Sequence, residues 1–99
     1  MGRAETPDEA LRNAAELFLS KHPEYGSSWQ AVSHTMHSLF PDGVKLETPA
    51  EFGRYNCIQM IVSKLKRYCN NFETGGHLDS IQDLQAYGGM LEVRTDEQG

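Results

Sequence analysis

Four side chains in the second half of the chain have the types and spacing to handle a phosphate. Lys64 and Arg67 lie in the stretch KLKRY, and Asp79 and Asp83 open the stretch LDSIQDLQAY. Residues at i and i+4 of a helix stack on one face, so both carboxylates can address one point. Lys64 and Arg67, one turn apart, can clamp the same oxygens, Arg67 with two N–H groups at once. Between the two stretches lies a short loop carrying Gly75-Gly76. Helices joined by so tight a loop run antiparallel, which brings the cations and carboxylates to one end of the pair. Such a mouth suits a phosphorylated small molecule. It equally suits a salt-bridge rim, in which each cation lays its stem along the core and keeps its head in water.

Asp79 is explained without a ligand by its place in a first helical turn, where a carboxylate offsets the helix dipole. Asp83 is harder to dismiss, because it shares a stripe with Ala86, Tyr87 and Met90. Two acids at this spacing can hold Mg²⁺, an ion that takes one or two carboxylates with waters and substrate phosphate. The pair permits a metal and does not demand one. His77, just before these acids, can donate to a ligand or cap the helix. Tyr25 and Trp29 flank a glycine turn and a helix start, where a ring can stack on a base while backbone N–H groups face an anion. Together, Tyr25, Trp29, Lys64, Arg67, His77, Asp79, Asp83 and Tyr87 form the candidate ligand-binding set.

Other chemistries find no support in the residue pattern. His34 and His37 stand at i, i+3 with no Cys or carboxylate at useful spacing to complete a zinc set. Neither the serines nor the cysteines carry a nucleophile signature, and no phosphate-cradling or dinucleotide-binding glycine motif occurs. Cys57 and Cys69 fall on one helix, and twelve residues of rise hold them roughly 18 Å apart. That exceeds the ~7 Å Cα limit of a disulfide, so both read as reduced thiols. A net charge of −5 argues against a general nucleic-acid coat, which needs a dominant basic surface. The absence of a long apolar run argues against a membrane span. MGRAETPDE does not read as a signal peptide, and the expected compartment is the cytoplasm.

Ninety-nine residues make one domain, with residues 1–5 and 95–99 expected to fray. Four helices must position the candidate side chains. The first starts at Thr6-Pro7-Asp8-Glu9, where Thr6 can cap, Pro7 fits the first turn and Glu9 completes a capping box. Leu11, Ala14, Ala15 and Phe18 give it one apolar face, and Pro23 is expected to end it. His22 to Gly26 then reads as a turn. The second helix, capped by Ser27 or Ser28, presents Trp29, Val32, Met36, Leu39 and Phe40 and closes at Pro41-Asp42-Gly43. Thr48-Pro49-Ala50-Glu51 repeats the start signal. It opens the longest and most buried helix, with Ile58, Ile61, Val62, Leu65 and Cys69 at helical spacing. The fourth runs from about Leu78 to Val93, with Leu78, Ile81, Leu84, Gly88 and Leu91 facing inward. No β alternation is present. The expected fold is an all-α four-helix bundle with a lean core.

The segments HPEYGSSW, MIVSKLKRY and HLDSIQDLQAYGGML resemble a group of small phage and prophage proteins that is similar to the nucleotide-modification-associated domain. These are distant relatives of the MazG-like all-α nucleotide pyrophosphohydrolases. The resemblance spans roughly residues 7–92 and is most specific at Asp79-Ser80-x-x-Asp83-x-x-x-Tyr87. MazG-like enzymes hold Mg²⁺ with a Glu-Glu-x-x-Glu set on one helix and a Glu-x-x-Asp set on the next. The resemblance places Asp79 and Asp83 near the second set, at a spacing of four rather than three. Met60, Lys64 and Arg67 stand where the first set should be. It therefore implies a homo-oligomeric protein that binds or sequesters a nucleotide or cyclic-nucleotide-like signal without catalysis or a required cofactor. In a phage setting that would occur in the host cytoplasm. One alternative is a Mg²⁺-dependent pyrophosphohydrolase that uses Asp79 and Asp83 and borrows Glu16, Glu24 or a neighbouring subunit's acids. The other is a protein-interaction module that inhibits a host factor through an exposed helix face.

Overall fold

The computed structural model describes residues 3–25 and 28–99, with side chains for all of these except residues 23–25 and 28–29. The chain is all-α. Helix α1 spans Pro7–Tyr25, α2 Ser28–Leu39, α3 Pro49–Asn70 and α4 Leu78–Arg94, with a single 3₁₀ turn at Phe72–Thr74 before α4.

The two Thr-Pro-x-Glu starts behave as their residues dictate. At α3 the Thr48 hydroxyl accepts from Glu51 N at 3.2 Å, and Glu51 Oε1 accepts from Thr48 N at 3.2 Å, a complete capping box. At α1 the Thr6 hydroxyl accepts from Glu9 N at 3.3 Å, while the Glu9 carboxylate reaches one residue further back, to Glu5 N at 3.2 Å. In both, proline occupies a first-turn position whose N–H would have no intrahelical partner.

Helix α3 is the spine, and α4 is its main partner. Three contacts fix their register. The Tyr68 ring lies against Gly76, Lys64 meets Asp83, and Arg54 reaches the carbonyl of Arg94 at 3.4 Å. As one helix number falls the other rises, so the two run antiparallel, as the Gly75-Gly76 loop requires. The loop closes on itself through Gly76 N donating to Asn71 O at 2.7 Å, with both glycines at positive φ. At the far end the Arg94 guanidinium covers Gly53, where a Cβ would have no room. Arg54 also donates to Glu97 O at 2.8 Å. A cation on the orphan carbonyls of a helix C-terminus is favoured by both hydrogen bonding and the dipole. Residues beyond α4 are thus tied to the start of α3.

The core is lean. Among the described residues, its buried apolar side chains are Met36 of α2 and Ala50, Cys57 and Val62 of α3, with the buried Ser80 supplied by α4. Cys57 and Cys69 are both free thiols, the first buried and the second exposed.

Four expectations from the sequence are corrected. Helix α1 does not stop at Pro23 but continues to Tyr25, and no turn intervenes from His22. A proline in the last turn forfeits one hydrogen bond, and the helix ends two residues later, before further loss accrues. The apolar face of α1 forms but does not enter the core, since Leu11 is 72% exposed and Phe18 50% exposed. Leu78 is 68% exposed, because it is the first residue of α4 and the inward position falls to Ser80 two residues on. Leu39 and Cys69, at the ends of α2 and α3, and Leu65, five residues before the end of α3, all also expected inside, are exposed.

Candidate functional site

Lys64 sits at the centre of the α3–α4 seam. Only 13% of its side chain is exposed, and its Nζ lies 3.1 Å from Asp83 Oδ2, whose side chain is 52% exposed. The ammonium is therefore largely withdrawn from water with its counter-charge supplied by the neighbouring helix. Arg67, one turn further along, is half-buried in the last turn of α3, where a cation complements the helix dipole. Asn71 Nδ2 donates to the Arg67 carbonyl at 2.9 Å and so caps the same turn.

On the facing helix, Asp79 is exposed in the first turn of α4. His77 occupies the N-cap position, where its extended backbone leaves its carbonyl to accept from Ile81 N at 3.2 Å. Its ring does not cap. Nδ1 instead lies 2.6 Å from the Ser80 hydroxyl, a side chain with no exposed surface. This His77–Ser80 contact pins the start of α4. Ser80 enters the sequence reading only as part of the Asp79-Ser80-x-x-Asp83 pattern and without a role of its own, since a serine between two aspartates looks like surface. Tyr87 is half-buried two turns on. The side chains of Tyr25 and Trp29 lie outside those described. Thus Lys64 and Asp83 are brought together, His77 is turned toward Ser80, and Asp79 faces solvent.

A different part of the molecule offers concave space. An open groove of about 410 Å³ runs between α2, the loop after it and α3, with Val32, Met36, Phe40, Val44 and Tyr55 as walls and His37 at its edge. A hollow of about 210 Å³ shares Phe40, Val44 and Tyr55 with it and adds Arg54, Glu51 and Leu91. The Phe40 and Tyr55 rings pack tilted, with centroids 5.8 Å apart. None of Lys64, Arg67, His77, Asp79, Asp83 or Tyr87 lines either space. The signal for this groove was faint in the sequence, because its walls come from three elements with no shared spacing.

Among the described residues, the most exposed apolar helix face is that of α1. Leu11, Ala14, Ala15 and Phe18 make one stripe, Leu17 and Leu19 flank it, and all six are exposed. The polar side is organised by Arg12, whose Nη2 lies 2.7 Å from Asp8 Oδ2. Hydrogen bonds from the Thr6 hydroxyl, from the backbone and from Arg12 hold the Asp8 carboxyl below its ordinary pKa. Packing of α1 on the rest of the chain is sparse and falls mainly on α3.

Among the described residues, no group of three or more His, Cys, Asp or Glu is placed to hold a metal ion. None of their helices is long and apolar enough to cross a membrane. No family model, curated protein or solved structure matches the chain.

Proposed function

We propose that this chain is a protein-interaction module whose docking element is the apolar face of α1. The observation that carries the reading is the exposure of Leu11 and Phe18 on a well-formed amphipathic helix. An apolar stripe over the middle turns of a helix is costly to leave in water, and contiguous exposed patches mark association surfaces. Among the described residues, the buried side chains belong to α2, α3 and α4, and α1 packs only sparsely on α3. The test is Leu11→Ser with Phe18→Ser, melted at high dilution. The melting point should barely move, whereas truncating a core Phe costs about 3–5 kcal/mol. Loss of the folded state at dilution would place these residues in the chain's own core and end the reading.

A second reading keeps a nucleotide-like small molecule, and the groove at Phe40 and Tyr55 favours it. Its volume falls within the roughly 300–1,000 Å³ of small-molecule sites, and it has aromatic walls with His37 at the rim. Lys64 and Asp83 contribute less to this reading, because each already answers the other's charge. Melting against nucleoside triphosphates, dinucleotides and cyclic oligonucleotides, with and without Mg²⁺, tests it. A metal-free shift lost in Tyr55→Ala supports binding at the groove. A shift that needs Mg²⁺, with product formed and lost in Asp83→Ala, supports the pyrophosphohydrolase alternative instead.

A further inference from the structure

We propose that the occupant of the α1 face is α1 of a second copy of this chain, packed antiparallel about a two-fold axis at Ala14-Ala15. The inference rests on the interaction reading above and supplies its partner.

The stripe is self-complementary in one direction only. Leu11 and Phe18 lie at equal distances on either side of the Ala14-Ala15 pair. Reversing a second α1 over the first sets Leu11 of each copy against Phe18 of the other. Ala14 then meets Ala15, and these small side chains let the backbones approach where the axis passes. A parallel partner would stack Phe18 on Phe18 and leave a gap between the alanines. An isologous two-fold contact, in which one patch meets itself, is the commonest way for identical chains to associate.

Charge points the same way. The first turn of α1 is acidic, with Asp8 and Glu9, and towards its other end Lys21 and His22 precede Glu24. The antiparallel arrangement lays Asp8 of one copy beside Lys21 of the other and opposes the two helix dipoles. A parallel arrangement aligns acid with acid. The Phe18 ring packs against His22 within the chain, with centroids 5.8 Å apart, so the end of the helix that carries Lys21 and His22 is continuous with the apolar stripe.

The shape of the molecule agrees. Its radius of gyration is 16.5 Å. A compact domain of this length would have about 13 Å. The excess is what a helix standing off from the core produces, and a reciprocal partner would cover it.

The experiment is sedimentation equilibrium of the full chain from low to high micromolar concentration, with cysteine cross-linking to read direction. The wild-type mass should double with concentration, and Phe18→Glu should stay monomeric with an unchanged far-ultraviolet spectrum. Cross-linking is done with Cys69→Ser as the parent, since Cys69 is exposed. Ala14→Cys should form an intermolecular disulfide readily. Leu11→Cys, on the same stripe, should not, because antiparallel copies hold those positions about 10 Å apart along the axis whereas parallel copies would bring them together. A monomer at the highest concentration, or equal cross-linking at both positions, overturns the proposal. A monomer whose dilute fold tolerates Phe18→Glu overturns self-pairing alone and leaves α1 to a different chain. Unfolding of dilute Phe18→Glu overturns the interaction reading as well.

Discussion

Replacing Gly76 by alanine tests whether the turn between α3 and α4 is set by backbone conformation alone or also by the ring beside it. Gly75 and Gly76 both have positive φ, at +105° and +89°, so an L side chain at either is strained. That strain amounts to about 1–2 kcal/mol. The two positions differ in their surroundings. A Cβ at Gly75 would meet nothing within 4 Å, whereas one at Gly76 would stand 2.5 Å from Cε2 and Cζ of Tyr68. The ring must rotate or the loop must shift, and forced overpacking of this kind costs a further 1–3 kcal/mol, roughly. Gly75→Ala should therefore lose about 1–2 kcal/mol and Gly76→Ala about 2–5 kcal/mol. For a chain of this size the difference between them corresponds to a fall in melting temperature of about 4–8 °C per kcal/mol. Urea unfolding followed by circular dichroism would measure both. In the double-mutant cycle, Tyr68→Ala should remove most of the extra cost of Gly76→Ala and leave only the backbone strain. Equal losses at the two glycines, with no coupling to Tyr68, would refute the reasoning.

The ion pair of the seam should be asymmetric. Asp83→Asn leaves a mostly buried Lys64 ammonium without its counter-charge and should cost about 1–3 kcal/mol. Lys64→Met, which leaves a carboxylate already half in water, should be nearly neutral; the opposite order in chemical denaturation would show that the seam tolerates the lone cation. Ser80→Ala should destabilise by about 1–2 kcal/mol in the same assay, because it removes the hydroxyl that His77 contacts at a site without exposure. The depressed Asp8 pKa stabilises α1 only while the carboxylate is charged. That contribution is complete above the unfolded-state value near 3.8 and is lost as pH falls through the lower folded-state value. Helicity should fall in acid titration at that range, and Asp8→Asn should lack the step.

Much of the fold was written locally. Thr48-Pro49-Ala50-Glu51 declares a helix start through groups that bond within one turn, and the structure contains that box. The spacing of Cys57 and Cys69 excluded a disulfide, and both are free. Gly75-Gly76 implied the antiparallel return that brings Lys64 to Asp83. What escaped depends on distant surroundings. Periodicity finds the apolar face of α1 but is blind to which chain covers it, so Leu11 and Phe18 looked like core. Hydropathy assigned the inside of α4 to Leu78, while the buried place belongs to a serine whose partner is a histidine three residues back. Proline near a helix end is judged by its cost, and that cost depends on how many residues follow, which for Pro23 is two. The groove at Phe40 and Tyr55 joins residues from elements that meet only after folding.

The two thiols give the molecule an internal clock. Cys69 stands in solvent near the end of α3, and Cys57 lies inside the same helix, three turns earlier. A thiol reagent meets the first at once and the second only when the spine opens. Modification therefore proceeds in two phases on one molecule, the fast one calibrating the reagent and the slow one timing the opening. Because α3 touches every other helix, the slow phase reports loss of the whole assembly rather than fraying of one part. A ligand or second chain that stabilises the fold without covering Cys69 would be visible as a delay in the slow phase alone.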